Sequence, residues 1–101
     1  MNATTTKAQH LAKNALLGIA SDAEHAWLMV NASPLDGYRN ARNWASQYSF
    51  IDAEQNLVYL EEDCDAPKFL KDHGLDFALG LPEYYLEDGS VIRNLPRGTA
   101  L

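Results

Sequence analysis

Cys64 is the only cysteine in the chain. It stands in the run Glu61-Glu62-Asp63-Cys64-Asp65, directly before residues that can open a helix. A helix N-terminus lowers a thiol pKa, which is the first requirement of a nucleophilic cysteine. The four flanking carboxylates act in the opposite sense, because negative charge penalises the thiolate. A nucleophile also needs a base, and no spacing of His10, His25 or His73 sets one beside the thiol. These residue types favour a passive, partly buried cysteine, with a small thiol- or metal-dependent enzyme around Cys64 as the alternative.

The same acids could offer oxygen ligands to a hard cation. The twelve-residue calcium-loop pattern is absent, however, and solvated acids at a strand end account for the run equally well. A lone cysteine and unpaired histidines do not make a structural zinc site. Six scattered glycines form no phosphate-binding loop, and no Ser-His-Asp order, His-Glu-x-x-His or nucleophile elbow occurs. No catalytic residue, metal or cofactor is expected. Arg39, Arg42 and Asn43, beside Tyr38 and Trp44, form the one basic-aromatic cluster. On a helix it could dock a carboxylate or phosphate, although pairing with the chain's own acids is the preferred reading.

Charge says more than motif. The 101 residues carry a net charge of −6, unevenly placed. Asp22, Glu24 and Asp36 are outnumbered by Lys7, Lys13, Arg39 and Arg42 in residues 1–51, whereas residues 52–101 balance at −7. From Asp52 to Asp65 the chain holds Asp52, Glu54, Glu61, Glu62, Asp63 and Asp65 with no base among them. Such a segment repels phosphate backbones and attracts basic protein surfaces, so these six residues are the expected partner-binding set and direct nucleic-acid binding is disfavoured.

The apolar share of 47% and charged share of 22% fit one globular domain over residues 1–101, with residues 1–5 expected to be flexible. One cysteine allows no internal disulfide, which fits a reducing compartment. The opening MNATTTKAQH has no apolar core of a targeting signal, and the run Ala26 to Val30 is far short of the ~20 residues of a membrane span. A cytoplasmic location is the expectation.

The elements that must position these groups read as helices first. Ala8, Leu11, Ala12, Ala15, Leu16 and Ile19 fall at helical spacing, predicting a helix from Thr5 or Thr6 to about Ala20. Ser21-Asp22-Ala23-Glu24 matches a capping box and predicts a short helix to Asn31, with a buried strand over Ala26 to Val30 as the competing reading. Ser33-Pro34 opens a third helix to about Gln47. Tyr48–Asp52 and Leu57–Glu61 then read as a hairpin. Asp65 caps a helix ended by Gly74, and Tyr84–Glu87 with Ser90–Arg93 forms a second hairpin on the Asp88-Gly89 turn. The predicted fold is α+β: N-terminal helices followed by two hairpins in a small antiparallel sheet, with a short helix between them.

The function expected is that of a small acidic, non-enzymatic interaction domain that occupies a basic surface of another protein. In size, charge and lack of motifs the chain is similar in general character to small acidic inhibitors that phages and plasmids make against host defence complexes, anti-CRISPR proteins among them. That likeness covers no specific residues. A structural accessory subunit or a homodimer is the bland alternative.

Overall fold

The computed structural model describes residues 15–32, 44–75 and 80–98. The elements run β1 (Leu16–Ser21), β2 (Ala26–Asn31), β3 (Phe50–Asp52), β4 (Leu57–Glu61), α1 (Asp65–Asp72), β5 (Glu83–Tyr85) and α2 (Ser90–Arg93). The strands form one five-stranded sheet in the order β3-β4-β2-β1-β5. Neighbours are antiparallel except β1 and β5, which run parallel. The molecule is therefore α+β with a mixed sheet. Its described helices are not N-terminal, and the sheet is mixed rather than the predicted antiparallel sheet of two hairpins with a helix between them.

Leu16–Ser21 is a strand rather than the end of a first helix; the earlier part of that prediction lies outside the described residues. Leu16, Gly18 and Ala20 are buried while Leu17 is exposed, a two-residue period that a short apolar run shares with a helical stripe. The capping box also fails. Asp22, not Ser21, satisfies the turn: its Oδ1 accepts the N–H groups of Glu24 at 2.8 Å and His25 at 2.7 Å. Asp22 N–H donates to the His25 carbonyl at 2.9 Å, and the chain reverses into β2. The competing strand reading of Ala26 to Val30 is the one adopted. Of the third predicted helix, residues 34–43 lie outside the described residues, and 44–47 are not helical.

The first hairpin matches its prediction, with β3 and β4 joined by a turn in which Asn56 takes φ +59°. The helix after it matches too: Phe69 and Leu70 face inward and Gly74, at φ +70°, ends it. The second hairpin does not form. Asp88 Oδ1 accepts Ser90 N–H at 2.9 Å and starts the single turn of α2. Glu83–Tyr85 instead adds in parallel to the edge that β1 leaves open. Gly89 has φ −73°, so its missing side chain serves proximity rather than a left-handed turn: a Cβ there would lie 1.9 Å from the Asp22 carboxylate.

The sheet divides two cores. Leu28, Val30, Ile51, Val58 and Leu60 pack against Ala66, Phe69 and Leu70 of α1. On the opposite face Ala20, Trp27 and Phe50 pack against Ile92 of α2. The segment after α2 runs beside β3, where Ile51 N–H donates to Pro96 O and Gly98 N–H to Ser49 O, each at 2.8 Å. The β3 edge is thereby covered. No described strand pairs with the outer edge of β5.

Candidate functional site

The α2 face of the sheet is only partly filled, and α2 lines a hollow on each side of itself. The first is a cavity of about 350 Å³ floored by Trp27 and Phe50. Arginines stand over both rings. The Arg93 guanidinium lies 5.9 Å from the Trp27 centroid, held by the Asp22 carboxylate and with Glu24 at 3.7 Å. Arg97 lies 5.5 Å from the Phe50 centroid and donates from Nη1 to the Gln47 carbonyl at 2.8 Å. The Glu24 and His25 amides and Arg93 hold the Asp22 carboxyl below its ordinary pKa, the Glu24 amide foremost, against a smaller opposing effect of desolvation.

Cys64 opens onto this cavity together with Glu61, Asp63 and His25. The fold thus brings a histidine to the same cavity as the thiol, which sequence spacing did not do. Yet the thiol, though exposed overall, is pushed above its ordinary pKa, first by desolvation, then by Glu61, which also bonds to it, and by Asp65 and Asp63. A helix start does not offset this surrounding charge. Among the described residues no group of three or more His, Cys, Asp or Glu side chains is placed to hold a metal ion.

The six expected partner-binding acids do not form one surface. Asp65 is only 7% exposed, and its Oδ2 accepts Ser46 N–H at 2.7 Å, the Ser46 hydroxyl at 2.8 Å and the Ser49 hydroxyl. It is a buried tie rather than a helix cap or a displayed charge. Asp52 caps the β3–β4 turn by accepting from Gln55 N–H at 3.2 Å and Gln55 Nε2 at 3.1 Å. Glu61 accepts Asp63 N–H at 2.8 Å. Glu54 is exposed at one end of the hairpin and Glu62 and Asp63 at the other, with β4 putting roughly 13 Å between the ends.

The second hollow was not foreseen. It is an apolar groove of about 430 Å³ running from Met29 and Tyr59 to Tyr84 and Leu86. Its rim residues are large and wet: Leu17 is 37% exposed, Tyr84 50% and Val91 63%. The one sequence signal was the adjacent pair Tyr84-Tyr85, whose side chains must point to opposite faces of a strand. Both are exposed, Tyr85 at 65%. The segment beside the groove is acidic, since residues 80–92 contain Glu83, Glu87 and Asp88 and no Lys or Arg. Glu83, however, lies on the other face of the sheet, and Asp88 is taken up by Ser90 N–H beside Arg93.

No described helix is long and apolar enough to cross a membrane. No family model matches the chain, and neither a curated protein nor a solved structure matches it at a significant level.

Proposed function

We propose that this chain is a non-enzymatic interaction domain that binds a basic, partly apolar surface of another protein. The observation that carries the reading is the groove beside β5, where Leu17, Tyr84 and Val91 remain in water beside a segment that carries the exposed acids Glu83 and Glu87. Contiguous exposed apolar surface rimmed by polar groups is the usual mark of a docking face. The exposed Glu54, Glu62 and Asp63 extend the negative field beyond the groove and favour encounter with a basic partner. A protein that grips nucleic acid presents such a surface, and occupying it is how a small acidic inhibitor of a nucleoprotein complex would act.

The test is affinity capture from lysate of the source organism, with wild-type bait and with Glu54, Glu62, Asp63, Glu83 and Glu87 reversed to Lys. A specific partner that wild type retains and the reversed bait loses supports the reading. A partner set unchanged by reversal sinks its electrostatic basis.

A thiol-dependent activity is the second reading, favoured by the meeting of His25, Cys64 and Arg93 around one cavity. The raised thiol pKa weighs against it, since the nucleophile is the thiolate.

A further inference from the structure

Resting on the interaction reading above, we infer that the outer edge of β5 is a strand-addition site for an extended partner segment that alternates basic and apolar residues. Main-chain geometry comes first. Ile19 N–H donates to Pro82 O at 2.8 Å and Leu86 N–H to Ser21 O at 2.6 Å, so Pro82 and Leu86 turn their polar groups toward β1. The two-residue period of the ladder then aims the N–H and C=O of Glu83 and Tyr85 away from β1, toward the outer edge. No described strand takes them up. The opposite edge of the sheet, by contrast, is covered by the segment around Pro96 to Gly98.

Side chains set the character of the occupant. Tyr84 pairs with Ala20 and lies on the groove face, whereas Glu83 and Tyr85 pair with Ile19 and Ser21 and lie on the other. A segment added along β5 therefore sends alternate side chains toward the apolar groove and toward Glu83 and Tyr85. Apolar residues suit the first row. Lys or Arg suits the second, with its head at the Glu83 carboxylate and its stem over the Tyr85 ring. The exposed Glu87 adds to the negative charge that follows β5, while Asp88 is taken up by Ser90 beside Arg93. A second copy of this chain fits poorly: each copy carries −6, and pairing β5 with itself would bring two acidic rims together.

The probe is a fluorescent, acetylated and amidated peptide of four Lys-Val repeats, titrated by anisotropy against the full chain. Binding by wild type, and none of the matching Glu-Val peptide, is expected. Tyr85→Pro removes an outward N–H without touching the β1 ladder, while Tyr85→Ala removes the ring and keeps that donor. Tyr85→Pro should bind about tenfold more weakly than Tyr85→Ala, the loss expected of one hydrogen bond. Far-ultraviolet circular dichroism confirms that both variants are folded. Equal binding by the two overturns strand addition and leaves the interaction reading intact, because the capture experiment judges that separately. Failure of wild type to bind the peptide overturns the inference, and a wild-type dimer made monomeric by Tyr85→Pro would assign the edge to a second copy.

Discussion

The Asp65 carboxylate joins the start of α1 to the loop that leads into β3. It accepts three hydrogen bonds from Ser46 and Ser49, and the Ser49 hydroxyl accepts the Glu61 N–H at 2.9 Å, so helix, loop and strand meet at one buried oxygen. Removing it leaves buried donors without an acceptor. Asp65→Ala should lower unfolding free energy by about 2–3 kcal/mol in urea titrations, and Asp65→Asn, which keeps one oxygen, should cost less. A variant as stable as wild type would show that the tie carries no weight. Asp63 and Asp65 look alike in the sequence, as acids either side of a cysteine. Only the path of the loop carrying Ser46 and Ser49 turns one of them inward. Cys64, on the same turn, should alkylate slowly near neutral pH and faster as pH rises past the ordinary thiol range, because its thiol pKa is raised. Glu61→Gln removes a negative neighbour and should shift that profile to lower pH. Intact-mass labelling across pH reads both, and rapid reaction at neutrality would revive the thiol-enzyme reading.

The junction of β1 with β5 depends on Gly18. Its φ of +149° is one that side-chain-bearing residues rarely adopt, and a Cβ there would lie 2.8 Å from both the Pro82 carbonyl and the Tyr84 ring. Gly18→Ala should therefore destabilise the chain by about 1–3 kcal/mol. It should also release the Leu86 amide, which donates to Ser21, to faster hydrogen exchange than the β2–β4 amides. Uniform loss of protection would count against a local junction. The β3–β4 hairpin and α1 were legible in the chain because their signals are local: a polar tetrapeptide between strand-like runs, then Pro67 and a terminal glycine. The β1–β5 pairing was not. It joins residues more than sixty positions apart, and nothing around Glu83 specifies which free edge it will meet. Asp88-Gly89 was misleading for a related reason. The same dipeptide can start a helix when Asp88 caps Ser90 and the glycine lets Asp22 approach.

Across the whole molecule, charge and shape answer different questions. The sequence by itself determined the net charge of −6, its concentration after residue 51 and the lack of a disulfide within these 101 residues, since these are sums over residue types. It also determined the β3–β4 hairpin and α1, whose turn residues and terminal glycine are local signals. Tertiary structure alone decided how the acids are used. Asp65 is buried, Asp52 and Glu61 are occupied with their own turns, and Glu54 is displayed away from Glu62 and Asp63. It alone placed Cys64 with His25, Arg93 and Arg97, and left an apolar groove beside the β5 edge. Short apolar runs such as Leu16 to Ala20 and Ala26 to Val30 fit a helix stripe or a buried strand equally well. What resolves them is hydrogen bonding to a partner strand, and the partner is chosen by packing across the sheet, which no local stretch encodes.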